Sequence, residues 1–421
     1  MFNLTTMGKL GFSIRLLRAL VFMLLVNIAK AQVSGCTDPL AINFNSLATQ
    51  NDGTCVYNLL SITPSLSENL PAVMIETSGL VAWNNKLWTH NDSQDNNIYA
   101  FDTNNVNNYQ SYALPGLINT DWEEISQDDT YFYIGDFGNN TNGNRTDLKI
   151  FRIEKNSVLL NSPIIDTINF AYSNQTDYTA TGGNNTDFDC ESFIVSTDSI
   201  YLFTKQWISQ KTSIYSIPKT IGTHIANYRS TLDVQGLITG AVYKESQGLI
   251  VLCGYTNLLQ LFIYLLYDFS GVNFFGANKR KINLSLSFHQ VEGITTNSGL
   301  IYYISNEKFV QLPISIPAKL HVLDLSSYLS NYLNHIITNV VSSHDNDVFI
   351  YPVPSGKLIY IGVDNKLIGE QYSLFDYQGK IVLAGLLNET NTAVNIEQLN
   401  KGVYLIKLGN DSRQIKKLIK Q

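Results

Sequence analysis

The sequence predicts an all-β fold: a five-bladed β-propeller, six-bladed if one long segment hides another unit, followed by a small C-terminal β-sandwich. Three observations predict it. Two short apolar runs around a tight turn recur five times along the chain. A third apolar run follows each copy and a weaker fourth follows most, so one supersecondary unit repeats every ~50 residues. Composition agrees: hydrophobic residues make up 44% and charged residues only 15% of the 421, against a usual ~25% charged, with 24 Tyr and 20 Phe to pack on pleated surfaces.

The chain opens with a segment that reads as a signal peptide over residues 1–31. Lys9, Arg15 and Arg18 precede an apolar core at residues 19–29, and Ala29-Lys30-Ala31 is a small-x-small cleavage site. The apolar run is too short to span a bilayer, and no later stretch reads as a transmembrane span in the mature chain. Cleavage would remove four basic and no acidic residues, taking the formal charge from −7 to −11. That balance argues against nucleic acid as a partner, because phosphate backbones need basic patches.

Residues 32–57 form a Cys-flanked, Asp/Asn-rich stretch, Gly35-Cys36-Thr37-Asp38-Pro39 through Asp52-Gly53-Thr54-Cys55. It resembles a short motif common in secreted proteins of Bacteroidetes. In an exported chain Cys36 and Cys55 most simply form a disulfide closing a small loop. Asp38, Asn43, Asn45, Asn51 and Asp52 offer the hard oxygens calcium prefers, or else they cap turns.

The repeats fill residues 58–341. First and second strands are expected at residues 76–80 and 86–92, 121–125 and 131–140, 190–194 and 200–205, 239–243 and 249–255, and 291–294 and 300–307. With the second strands in register, Ser78, Glu123, Glu191, Gly240 and Glu292 fall in one column that opens the innermost strands. Residues 172–189 read as neither strand nor turn and leave the sixth blade open. Tyr328–Val341 is expected to supply the last outer strand. Cys190 and Cys253 read as buried thiols, with a disulfide between blades as the other option.

Carboxylates of Glu123, Glu191 and Glu292 near one axis must protonate or hold a cation. Calcium suits an all-oxygen set, with Ser78 and main-chain carbonyls near Thr239-Gly240 completing it. The column is similar to that of calcium-activated nucleotidase (apyrase) propellers, and more broadly to phytase- and lactonase-type propellers that hold calcium in the channel. A second ring, His90, Asn91, Asp92, Asp136, Lys205, Asn306 and Glu307, ends the second strands at one rim. The leading expectation is a calcium-stabilised binding or structural module for an unknown surface or small-molecule ligand. The alternative is a calcium-dependent hydrolase of a phosphoester, nucleotide or lactone, with Asp92, Asp136, Lys205 and Glu307 as catalytic candidates. The sequence has no G-x-S-x-G, H-E-x-x-H or P-loop, and its six His disfavour a multi-His zinc site.

Residues 342–347 are polar and read as a linker. Residues 348–421 alternate as small-sandwich strands joined by Asp376-Tyr377-Gln378-Gly379 and Leu399-Asn400-Lys401-Gly402 turns. Tyr351-Pro352-Val353-Pro354, Gly379-Lys380, Gly402-Val403-Tyr404 and Lys416-Lys417 closely resemble the type A sorting domain of type IX secretion cargo in Bacteroidetes, with Val353 in place of the usual Asn. The resemblance implies the type IX machinery as a partner, passage through periplasm and outer membrane, and a secreted or cell-surface location.

Overall fold

The computed structural model describes residues 32–93, 95–342, 349–351, 355–363, 367–376, 379–408 and 415–420. The expected signal peptide, nearly all of the expected linker, and Pro352, Val353, Pro354, Tyr377 and Gln378 of the C-terminal motifs lie outside those residues. The chain divides into two compact units at Ser330/Asn331.

The first unit begins with β1 (Ser34–Gly35) and β2 (Gln50–Asn51), a parallel pair. The Cys36–Cys55 disulfide closes this loop. Four of the five oxygen-bearing side chains proposed there cap turns, and the fifth, Asn43, ties the loop to the backbone of Val56. Asp38 accepts from Leu40 N–H, Asn43 from Val56, Asn45 from Leu47, Asn51 from Gly53 and Asp52 from Thr54, at 2.8–3.0 Å. Short β3 (Leu60–Ile62) and β4 (Leu66–Asn69) follow, and both join sheets formed much later in the chain.

Five blades then succeed one another, and the outermost strands of blades 2 and 3 pair in parallel, which merges those two into one eight-stranded sheet. Blade 1 comprises β5 (Thr77–Trp83), β6 (Lys86–Asn91), β7 (Asn97–Asp102) and β8 (Asn105–Ala113). Blade 2 comprises β9 (Trp122–Gln127), β10 (Tyr131–Asp136), β11 (Lys149–Glu154) and β12 (Ile165–Tyr172), with the short helix α1 (Lys155–Leu159) between the last two. Blade 3 comprises β13 (Asp189–Val195), β14 (Ser199–Lys205), β15 (Thr212–Pro218) and β16 (Gly222–Leu232). Blade 4 comprises β17 (Leu237–Lys244), β18 (Leu249–Tyr255), β19 (Gln260–Tyr267) and β20 (Asn278–Ser287), with β3 added in parallel at its edge. Blade 5 begins with β21 (Gln290–Thr296) and β22 (Ile301–Glu307). A small hairpin of β23 (Phe309–Gln311) and β24 (Ile314–Ile316) interrupts it before β25 (Lys319–Asp324). Its outermost strand is β4, antiparallel to β25. Innermost strands pack on one another in ring order, and β21 against β5 completes the circle.

The ring therefore has five blades. Residues between Tyr172 and Asp189 are loop, not a sixth: Thr181 and Asn184 N–H bond the carbonyls of Asn142 and Asn140 in the β10–β11 loop. The strand expected over Tyr328–Val341 is instead the helix α2 (Ser326–Ser342). Two causes combine. Leu329, Leu333, Ile336, Ile337 and Val340 recur with helical period, and Asp324 caps the Ser326 N–H at 2.8 Å. The edge the strand would fill is already taken by β4.

Second strands read as continuous apolar runs because both of their faces are buried. Successive residues enter successive inter-blade cores. On β6, Leu87 joins the core between blades 5 and 1, and Trp88 the core between blades 1 and 2. On β14, Ile200 and Leu202 face blade 2 while Tyr201 and Phe203 face blade 4. Each such side chain contributes about 1.5–3 kcal/mol. Cys190 and Cys253 are buried free thiols.

The second unit has two sheets. β26 (Phe349–Tyr351), β27 (Leu358–Gly362) and β30 (Asn391–Asn395) form one; β28 (Gln371–Phe375), β29 (Ile381–Leu386), β31 (Gly402–Leu408) and β32 (Ile415–Lys420) form the other. Ile359, Ile361 and Val394 from the first meet Leu374, Ile406 and Leu418 from the second in a shared core.

Candidate functional site: an acidic axial chamber

A β-bulge interrupts every innermost strand where it pairs with the end of its second strand. Glu123, Glu191, Thr239 and Glu292 are each skipped by the ladder, and the break in blade 1 follows Ser78. A bulge re-aims the side chain it carries. Here the carboxylates of Glu123, Glu191 and Glu292 turn into one chamber of about 190 Å³ around the ring axis. In blade 4 the bulged residue is Thr239, not Gly240. The register in blade 4 is one residue away from the one the sequence suggests. Thr239 Oγ1 donates to the Val291 carbonyl, and Gly240 is a point of close approach: a Cβ there would lie 2.6 Å from the Glu292 carbonyl oxygen.

Six carboxylates line the chamber, those of Asp92, Asp121, Glu123, Glu191, Glu292 and Glu307, beside one ammonium, Lys205. Asp189 lies behind them, and single oxygens of Glu123, Asp189 and Glu191 fall within 4.8 Å of one another. Asp189 is held on both sides, by Asn139 N–H at 2.6 Å and by the Trp207 indole N–H at 2.8 Å. Lys205 Nζ pairs with Glu191 Oε1 at 2.9 Å and sits 4.7 Å from the Trp207 ring centre and 5.4 Å from that of Tyr255. Glu292 Oε2 is buried and has no hydrogen-bond partner among the described residues, and the same holds for Asp92 Oδ1. Ser78 also lines the chamber, but its hydroxyl donates to the Glu123 main-chain carbonyl at 2.5 Å. Gly138 completes the wall: a Cβ there would overlap Glu123 Oε1 and the Asp121 carboxylate.

Crowding shows in the acidities. Burial first, then Glu307 and Glu76, pushes Asp92 up to about 8. Burial raises Glu307 to about 7, with Lys205 opposing and Glu191 adding. Asp121 rises to about 6, through burial and then Glu191. Glu123 and Asp189 are raised well above the ordinary carboxylate range by burial and Glu191; Glu292 is raised by burial, with Lys205 opposing. For Lys205 burial works against the charge, but Glu191, Tyr255 and Glu292 outweigh it and hold the ammonium protonated.

Glu124, next to Glu123, faces elsewhere. Its two oxygens accept the backbone N–H of Ile125 and of Ala241, each at 3.0 Å, and Leu80 N–H also bonds it. Those partners lie on blades 2, 4 and 1, so the carboxylate crosses the channel.

Of the sequence-predicted site residues, Ser78, Asp92, Glu123, Glu191, Lys205, Glu292 and Glu307 come together in the chamber. Asp136 does not line it; its carboxylate pairs with Arg145 at 2.9 Å. His90 packs edge-on to Trp122, Asn91 bonds Asp95, and Asn306 bonds His321. Sequence reasoning missed Asp121, Asp189, Trp207 and Tyr255. A signal for the two acids was present: Asp121-Trp122-Glu123 and Asp189-Cys190-Glu191 place an acid two residues before two of the three column Glu residues, where Glu292 has Gln290.

Comparison with known proteins bears chiefly on the second unit. Residues 349–421 match the secretion system C-terminal sorting domain. The protein is therefore exported by type IX secretion, to the cell surface or beyond, and no helix among the described residues is long and apolar enough to cross a membrane. No curated protein matches. Similar solved structures include PorZ, a surface component of the type IX secretion system of Porphyromonas gingivalis (12% identity over 82% of this chain and 45% of that one, TM-score 0.29). Another is the extracellular domain of the putative one-component system BT4673 from B. thetaiotaomicron (10% identity, 87% and 58% coverage, TM-score 0.28). The chain thus spans about half the length of these two.

Proposed function

We propose that the protein is an exported binding module whose axial chamber is stabilised by calcium. The observation that carries this reading is the convergence of Glu123, Asp189 and Glu191 within 4.8 Å while all three are buried. The partnerless Glu292 Oε2, 5% exposed as a residue and facing the same chamber, supports it independently. One ammonium does not balance six carboxylates. Asn140, Asn184 and Gln290, which also line the chamber, offer amide oxygens, and among the described residues no His or Cys lines it. An all-oxygen donor set of this kind suits calcium over zinc or copper. Glu123, Asp189, Glu191 and Glu292 would hold the ion, which supplies positive charge at the point where carboxylates crowd.

A binding role fits better than hydrolysis because Lys205 is locked. Its ammonium is ion-paired and flanked by two aromatic rings, so it holds a fixed charge and has no free base to offer. Thermal melting of the secreted protein with chelator, then with calcium restored, tests the reading. Calcium at a hundredfold its Kd adds about 2.7 kcal/mol, a shift of several degrees. Glu292→Gln shrinks the shift. Melting indifferent to both chelator and calcium would end the proposal.

A further inference from the structure

The chamber opens at the ring face where innermost strands begin and second strands end. Connections between blades, and loops from second to third strands, all lie at that face. Five of these loops present apolar side chains to solvent. Ile118 lies between β8 and β9, Ile208 between β14 and β15, Leu258 between β18 and β19, Phe288 between β20 and β21, and Leu312 on the β23–β24 hairpin. Leu258 and Leu312 are 87% and 88% exposed.

The backbone of this face is also unusual. Asn184, Gln210, Gln235, Leu259 and Phe288 hold φ between 50° and 61° there, and of these five only Asn184 is of a type that adopts this conformation readily. At the opposite face the corresponding left-handed turns use Asn84, Asn85, Asn161 and Asp268, which tolerate that conformation. Bulky residues in this region cost of order 1 kcal/mol each and cluster where a surface is shaped for use. An apolar rim around an acidic cup is complementary to a chain that is apolar on its flanks and cationic at its centre.

We propose that this face docks an extended polypeptide segment of a partner, with one Arg or Lys side chain entering the chamber between flanking apolar residues. Asp92 and Glu307 receive the cation. They sit on blades 1 and 5, whereas Glu123, Asp189 and Glu191 sit on blades 2 and 3, and Asp92 Oδ1 has no hydrogen-bond partner among the described residues. The inference rests on the acidic chamber of the preceding reading and not on its calcium.

A phage-displayed random-peptide library panned on the secreted protein in calcium buffer tests it. Enriched sequences should carry Arg or Lys between apolar residues. A synthetic peptide of the enriched sequence should bind with one-to-one stoichiometry by calorimetry and lose binding when its Arg or Lys becomes Gln. Leu258→Ser combined with Leu312→Ser, and separately Asp92→Asn, should each weaken it about tenfold or more. Absence of enrichment, enrichment of sequences lacking a basic residue, or affinity unchanged in the Leu258/Leu312 variant overturns the proposal. The calcium melting shift is read on the same samples. Peptide binding without that shift overturns only the calcium reading, and the shift without peptide binding overturns only this one.

Discussion

The Glu124 carboxylate accepts the backbone N–H of Ala241, 117 positions further along the chain, at 3.0 Å. Its other oxygen accepts Ile125 N–H, so both oxygens serve as acceptors. Glu124→Ala leaves several buried donors unsatisfied and should cost about 3 kcal/mol. Glu124→Gln should cost nearly as much, because one amide N–H must then face a backbone N–H. Urea denaturation of the two variants checks this; a Gln variant as stable as the wild type would show that acceptor pairing does not matter here.

Gly138 lies against the Glu123 and Asp121 carboxylates with no room for a Cβ. Gly138→Ala should displace Glu123 from the chamber and remove most of the calcium-dependent melting shift, while the chelated protein melts within a few degrees of wild type. A full calcium response in this variant would exclude Glu123 from the ion's shell.

His321 ties the ring's closure to proton uptake. Its Nδ1 meets Ser67 Oγ at 2.7 Å and its Nε2 meets Asn306 Oδ1 at 2.8 Å, with the His289 ring centre 5.3 Å away. Burial, then the charges of His289 and Lys319, lowers its pKa to about 3. The folded state keeps the ring neutral, so its contribution is present above about 6.5 and is lost as pH falls toward 3, by an amount on the order of 5 kcal/mol. His321→Gln should therefore melt with a shallower acid limb than wild type between pH 6.5 and about 4. Parallel acid limbs would contradict this assignment.

Deleting residues 349–421 should leave the first unit folded but retained in the periplasm, as read by fractionation and by the melting of the truncated chain. Normal surface or medium levels of the truncated protein would remove the sorting role from this segment.

Much of the ring was legible because its signals are local. Apolar runs on both sides of tight turns, and a Glu opening three first strands, survive in sequence without knowledge of the whole. The chamber was half legible. The repeat alignment was one residue out in blade 4, so Gly240 stood where Thr239 belongs. Trp207 and Tyr255 carry no sequence mark that separates a chamber wall from core. Asp136 was misplaced because Arg145, nine positions on, draws its carboxylate away. The outer strand of blade 5 was illegible from its neighbours, since its partner lies at the far end of the unit: Ser67 meets His321 across 254 positions.

That last pairing has a kinetic consequence. β4 emerges early in synthesis and β25 emerges last of the propeller strands, so the circle cannot seal until some 250 residues have been made and brought together. Contacts of such separation carry a large loop-closure entropy and slow the rate-limiting step. Until then blade 5 presents an unpaired strand edge, a template for misassociation. The open ring is thus the vulnerable species on the folding route, and closure by β4 is the step that turns a row of sheets into a kinetically durable particle.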